Sequence, residues 1–325
     1  MQIETLPVPV DQQTESLYAD HRDESGFFNP WGRFPHSMWV LVRFWLRPKL
    51  GAPKRLVTPL RALPEVESDG GAAITWVGHC TFVIQDGPGV VLTDPHWGPR
   101  SKAKRRRTAP GVMLDVVPDD ACVVLSHNHY DHLDHHTVSR LSTETRWFVP
   151  LGLADWLRRR GHRNVVELDW WQRVRHGRWT FTCLPAQHWS IRLSQRRNET
   201  LWASWLIESP GRRFYFAGDT GYFHGFREFG RRFGPIDVAL LPIGTYEPRW
   251  HLSYQHMDPG EAYRTCLELG ADKMIPMHWG TFQMAWDPTH EAPKELLRAI
   301  EENGGDPDRV HLLQVGESWS EGVRS

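Results

Sequence analysis

The run His127, Asn128, His129, Tyr130, Asp131, His132 places imidazoles at its first, third and sixth positions and a carboxylate at its fifth. It follows Ser126 at the end of the apolar stretch Cys122 to Leu125, so the cluster sits where a buried strand ends. Alternate residues of an extended segment point the same way, so His127 and His129 can grip one cation, while the turn beyond redirects Asp131 and His132 toward a second. Without a cation such a cluster is repulsive when protonated and costly to bury when not. The chemistry it points to is hydrolysis: a pair of metal ions lowers the pKa of a water, polarises a substrate oxygen and stabilises charge as a bond breaks.

Two metal ions need more donors than one run supplies. Three other apolar runs end on a ligand type: Pro185 to His188, Ala217 to Gly221 with Asp219 inside it, and Pro276 to Gly280 with His278 inside it. A lone histidine at a strand end more often serves structure, but the joint occurrence of these ends with the dense run reverses that weighting. Nitrogen and oxygen donors without cysteine suit zinc, and iron and manganese fit them too.

These residues need a frame that gathers strand ends. Short β-rich runs cover Ile74 to Val77, Thr81 to Gln85, Val90 to Thr93 and Cys122 to Ser126, and later ones cover Trp179 to Leu184, Leu201 to Glu208, Arg213 to Ala217 and Val238 to Pro242. Helices are expected at Leu151 to Arg160, Pro259 to Leu269 and Ala292 to Asn303, the second opening on Pro259 with Asp258 as its cap. Strands first, then strands alternating with helices, suit an α/β protein of two packed sheets covered by helices, a four-layer αββα sandwich. Residues 1–70 read as an arm, polar at first, aromatic from Phe27 to Trp45, then punctuated by Pro48, Pro53, Pro59 and Pro64. Residues 71–325 are expected to form the hydrolase domain.

Lysine plus arginine (38) balances aspartate plus glutamate (39), so no global field marks the chain as a nucleic-acid binder. Cys80, Cys122, Cys183 and Cys266 lie far apart and form no Cys-x-x-Cys pair, which argues against a disulfide framework and a thiolate zinc site. No signal peptide opens the chain, and no apolar stretch approaches the roughly 20 residues that span a bilayer. A cytoplasmic protein, soluble or peripheral on a membrane, is expected.

The motifs resemble the metallo-β-lactamase superfamily, whose HxHxDH run is followed by a separate histidine, a bridging aspartate and a final histidine. Carried over by motif, the resemblance implies that His127, His129 and His188 hold one zinc ion, that Asp131, His132 and His278 hold the other, and that Asp219 bridges both. Longer strings narrow it. The segments His127 to Asp134, Arg146 to Leu153, Glu167 to Trp171, Phe216 to Tyr222, Arg232 to Asp237, Ile243 to Trp250, Tyr254 to Pro259 and His278 to Phe282 are similar to the N-acylphosphatidylethanolamine-hydrolysing phospholipase D family. Strings such as Tyr246 to Trp250 and Tyr254 to His256 are not required by metal binding, so they discriminate within the superfamily.

That family cleaves a phosphodiester on its alcohol side, releasing an N-acylethanolamine and leaving phosphatidic acid. The resemblance implies Asp131 and His256 as catalytic residues, His256 orienting the phosphate or assisting the leaving oxygen, and it implies a homodimer. His79 is expected beside the ligands, orienting one of them. There are departures: the segment between Asp94 and Pro118 is shorter than in animal members, and Ser190 stands where they carry cysteine. A phospholipid substrate requires a membrane surface, for which the aromatic stretch Trp39 to Leu46 and the basic run Arg100, Lys102, Lys104, Arg105, Arg106 and Arg107 are candidates. Competing readings are a lactonase or nuclease of the same fold and a non-catalytic metal-binding scaffold. No ligand is missing from the motif set, which argues against the scaffold.

Overall fold

Along the strands Ala72–Gly78, Thr81–Asp86, Gly89–Thr93, Cys122–Val124 and Arg146–Pro150, apolar side chains divide by parity between two cores. Ile74, Trp76, Phe82, Ile84, Val91, Cys122, Val124 and Phe148 enter one cluster. Val77, Val83, Leu92, Val123, Trp147 and Val149 enter the other. Alternation with both faces apolar belongs to strands covered on both sides. The computed structural model, which describes residues 1–9, 14–32, 60–68, 70–102, 104–193, 195–288 and 290–321, supplies both covers.

The first cover is a second sheet. One seven-stranded sheet runs in the order Val165–Leu168, Arg146–Pro150, Cys122–Val124, Gly89–Thr93, Thr81–Asp86, Ala72–Gly78, Ser318–Glu321. The other runs Ile3–Thr5, Gln172–His176, Trp179–Leu184, Ser204–Ser209, Arg212–Phe216, Ile236–Pro242, Ala271–Met277. The two meet across the central core, where Phe148 stacks on Phe181 at 4.0 Å and Trp205 Nε1 donates to Leu125 O at 2.9 Å. The helices His135–Val138 and Ala154–Arg158 cover the outer face of the first sheet through Val138, Ala154 and Leu157. Gly225–Phe233, Pro259–Glu268 and Ala292–Glu302 pack into the main core through Phe226, Phe229, Ala262, Cys266, Leu296 and Ile300. This is the expected αββα arrangement.

Direction matters more than number. The strands from Gly89–Thr93 to Val165–Leu168 pair in parallel, as do the three from Arg212–Phe216 to Ala271–Met277. Parallel strands end on one edge of a sheet, which is where ligands are received in such folds. The residues that follow these ends are Asp94, His127, Asp219, Thr245 and His278.

Several elements depart from the sequence reading. The helix expected over Leu151 to Arg160 is only Ala154–Arg158, because Gly152 takes φ +91° and breaks the first turn. Asp258 does cap its helix, in a reciprocal pair in which Glu261 N donates to Asp258 and Asp258 N to Glu261. The described parts of residues 1–32 do not stand apart as an arm: Ile3–Thr5 pairs with Gln172–Val174, Leu17 and Phe27 are buried, and Tyr18 stacks on Trp171 at 4.3 Å. The stretch Trp39 to Leu46 and the prolines at 48, 53 and 59 lie outside the described residues. Within the basic run, Arg106 is buried and donates to the carbonyls of Val77, His96 and Thr108. It ties the strand Ala72–Gly78 to the chain at His96 and Thr108 and is withdrawn from any surface patch, whereas Arg100, Lys102 and Arg105 are exposed. Among the described residues no helix is long and apolar enough to cross a membrane.

The Phe148–Phe181 contact joins the two sheets, and both rings are fully buried. Phe181→Ala is therefore expected to lower unfolding free energy by about 3–5 kcal/mol. Urea denaturation measures this, and a loss below about 1 kcal/mol would show that the sheets are not held together there.

Candidate metal centre

Three imidazole nitrogens face one another. His127 Nε2 lies 2.8 Å from His129 Nδ1, which lies 3.2 Å from His188 Nε2. The far nitrogens of two of these rings settle the tautomers. Ser126 Oγ donates to Asp94 Oδ2 at 2.5 Å, so it accepts from His127 Nδ1 at 2.9 Å. The Gln255 carbonyl, an acceptor only, takes the proton of His188 Nδ1 at 3.0 Å. Both Nε2 atoms are therefore bare lone pairs aimed at a common point, an arrangement a cation reconciles.

A second donor set shares one wall with the first. Asp219 Oδ2 is 3.1 Å from His132 Nε2, and Asp219 Oδ1 is 3.1 Å from His278 Nε2. Asp131 Oδ2 is 3.5 Å from His132 Nε2 and 3.7 Å from His278 Nε2. The ligand atoms of His127, His129, His188 and Asp219 lie within 4.8 Å of one another, as do those of Asp131, His132, Asp219 and His278, so each group could hold a metal ion. His132 Nε2, His278 Nε2 and Asp219 Oδ1 are buried without a hydrogen-bond partner. Buried polar atoms are rarely left so, and these three sit at the wall that the two donor sets share. The residues present fit a pair of metal ions.

Electrostatics divide the centre into two halves. Burial, helped by the neighbouring imidazoles, holds His127 well below its ordinary pKa. Burial likewise lowers His129 to about 4 and His188 to about 3. That half is neutral and offers lone pairs. In the other half burial opposes charge, but Asp219 and Asp131 outweigh it and hold His132 well above its ordinary value. Burial would raise Asp131 and Asp219, but the pull of His132 and the surrounding imidazoles carries both well below the usual carboxylate range. Two buried carboxylates thus demand positive charge, which a metal ion or a proton on His132 supplies.

The residues around these donors fix their aim. Asp94 Oδ2 accepts from His132 Nδ1 at 2.6 Å while Oδ1 accepts from Ser126 N at 2.7 Å, so one carboxylate orients both halves. His79 Nε2 is 3.0 Å from Asp131 Oδ2, and its ring lies 4.1 Å from that of His278. Arg192 Nη1 donates to the carbonyls of Asn128 and Leu133 and clamps the histidine run from both ends. His256 is buried beside the centre, its Nδ1 4.0 Å from Asp219 Oδ2.

The backbone is bent to suit. His79, Asp94, Thr245 and His278 adopt φ of +57°, +34°, +68° and +63°. Left-handed conformations at non-glycine residues cost about 1–3 kcal/mol each, and such costs gather at functional sites. Beside Asp219, a Cβ on Gly218 (φ +58°) would meet Ser126 Cβ at 2.4 Å, so only glycine lets the Asp219 loop close on the histidine strand.

The structure therefore brings all seven expected donors and His256 into one centre. Sequence reasoning missed Asp94, Ser126, Gln255 and Thr245, whose Oγ1 lies 3.3 Å from His278 Nδ1. Asp94 had a signal, since it ends the run Val90 to Thr93 as His188 and His278 end theirs. The Gln255 contribution is a backbone carbonyl and leaves no trace in residue type.

Residues 90–279 match the Beta-lactamase superfamily domain, and the fold and centre are those of a metal-dependent hydrolase. The structure of Igni18, a metallo hydrolase from the archaeon Ignicoccus hospitalis, aligns with a TM-score of 0.61 at 22% identity, covering 78% of this chain and 100% of that one, and so shares the fold. The chain is 36% identical over 276 residues to the N-acyl-phosphatidylethanolamine-hydrolyzing phospholipase D 1 of Caenorhabditis elegans, covering 78% of this chain and 77% of the worm protein. It is 42% identical over 241 residues to an uncharacterised protein of Mycobacterium tuberculosis, spanning 70% of this chain and 64% of the other. The chain belongs to the metallo-β-lactamase superfamily and, within it, to the N-acylphosphatidylethanolamine-hydrolysing phospholipase D family.

Asp94 is the test of how the centre is aimed. Asp94→Asn sets an amide against His132 or Ser126 and is expected to weaken metal binding about 10- to 100-fold in a folded protein. Competition with a chromophoric chelator reads this directly, and wild-type affinity would mean that Asp94 does not orient the ligands.

Proposed function

We propose that the protein is a phosphodiesterase of phospholipase D type that hydrolyses N-acylphosphatidylethanolamine to an N-acylethanolamine and phosphatidic acid. In this reading His127, His129 and His188 would hold one metal ion and Asp131, His132 and His278 the other, with Asp219 common to both donor sets. Zinc is the first choice for these donors, and iron and manganese suit them as well. When bound, the two ions acidify a water and stabilise the negative charge that builds on the phosphoryl oxygens.

The chain's own residues have separate tasks. Asp131 and His256 are assigned the catalytic tasks. Asp131 presents a carboxylate whose Oδ2 is fixed by His79. Burial holds His256 well below its ordinary pKa, so its ring is neutral and offers one donor and one acceptor. Its Nδ1 is buried and without a partner in this structure, which suits it to a phosphoryl or leaving oxygen. Arg249 Nη1, donating to the His256 carbonyl at 2.9 Å, holds the ring's backbone in place.

The observation that carries the reading is the 36% identity to the worm phospholipase over most of both chains, joined to a centre with a shared carboxylate. The substrate would be met at a membrane surface by peripheral contact from the cytoplasm, with exposed Arg100, Lys102 and Arg105 facing lipid phosphates. Nucleic acid is not a partner in this reading, and the working unit is a homodimer.

The test is product identification by mass spectrometry from vesicles of mixed phospholipids, using the metal-loaded protein. Release of N-acylethanolamine with matching phosphatidic acid is expected, and His256→Ala should lower kcat about 100-fold with metal content unchanged. Cleavage of a lactone or a structured RNA, with the phospholipids intact, would overturn the assignment.

A further inference from the structure

The segment Phe27–Gly32 lies outside the residues matched by the superfamily domain and contributes no metal donor, yet it touches the centre at two points. Asn29 is buried, and every polar position of its amide is committed. Nδ2 donates to the backbone carbonyl of His188 at 3.3 Å and to the Tyr254 hydroxyl at 2.8 Å, while Oδ1 accepts from Trp202 Nε1 at 3.1 Å. Two residues on, Trp31 Nε1 donates to Gln187 Oε1 at 2.9 Å, and Gln187 Nε2 donates to the Tyr254 carbonyl at 2.9 Å. The Tyr254 hydroxyl donates in turn to Gly32 O at 2.7 Å. Phe27 N, donating to Asn198 O at 2.8 Å, and the stack of Trp31 on Phe223 at 4.8 Å seat the segment from either side.

These bonds tie residues 187–188 to residues 254–255. That separation decides the state of one donor, because His188 Nδ1 reaches Gln255 O at 3.0 Å, and this contact keeps Nε2 bare and aimed inward. If the two loops drifted apart, His188 would lose both its orientation and the partner that fixes its tautomer.

We infer that Asn29, supported by Trp31, is a positioning residue of the metal centre, holding the His188 loop against Tyr254 and Gln255. The inference rests on the reading of His188 as a metal ligand. It makes part of the N-terminal segment a component of the site and not only a cover for the core. Asn29→Asp preserves shape and the acceptor for Trp202 Nε1, but sets a carboxylate against the His188 carbonyl.

The experiment titrates the full-length metal-free protein with Zn²⁺ against a competing chelator and follows kcat and KM. Wild type is expected to bind two equivalents, and His188→Ala to lose one. Asn29→Asp is expected to bind one equivalent about tenfold more weakly or worse, with kcat lowered and KM unchanged. A purely structural tie would lower the melting temperature and leave affinity alone. Wild-type affinity for both equivalents in folded Asn29→Asp, with His188→Ala short of one, overturns the positioning role and leaves the ligand reading intact. Two tight equivalents in His188→Ala overturn the ligand reading and the inference with it. Should Asn29→Asp fail to fold, Trp31→Phe keeps the aromatic stack and removes only the donor to Gln187. Weaker binding of one equivalent there supports the role, and unchanged binding overturns it.

Discussion

Burying lone pairs that converge on one point is unfavourable in any protein, and this one does it with His127 Nε2 and His188 Nε2, which lie 2.8 and 3.2 Å from His129 Nδ1. Much of the surrounding structure keeps those atoms from relaxing away. Ser126 and the Gln255 carbonyl occupy the outer nitrogens of His127 and His188, so neither ring can shift its proton inward. Asp94 accepts from the outer nitrogen of His132 and is itself held in a left-handed conformation. A site built this way is stable only when a cation or a proton supplies the missing positive charge, so metal binding and local stability are linked.

The frame makes that concentration affordable. Parallel strands in both sheets deliver donors to one edge, and the strands behind them are apolar on both faces, so the edge is anchored in two cores. The N-terminal residues add a tie from outside. Leu17 and Phe27 enter the main core, and Asn29 and Trp31 reach the loops that carry His188 and Gln255. A region that looks peripheral by composition is thereby joined to the chemistry.

What could be read in advance follows from what is local. The run His127 to His132 was legible because residue type and spacing carry the chemistry themselves, and His188, Asp219 and His278 because each closes an apolar run. The sandwich was legible from strand order and alternation. The helix Gly225–Phe233 was not, because Gly225, Gly230 and three arginines obscure its pattern, and Phe226 and Phe229 find their core only in the folded chain. The strand Ile3–Thr5 was not, because its partner lies about 170 residues away in sequence, with Ile3 against Val174. Arg106 hides among exposed neighbours of the same type, and only its three carbonyl partners distinguish it. The proposed substrate class rests on strings beyond the ligands, since donor geometry alone is common to many hydrolases.

The central claim is that two donor sets share the Asp219 carboxylate. Anomalous diffraction from crystals of the metal-loaded protein, collected at the absorption edge of the added metal, tests it most directly. The account predicts two peaks flanking Asp219, one contacted by His127, His129 and His188 and the other by Asp131, His132 and His278. A single peak, or a second one away from Asp219, would contradict it.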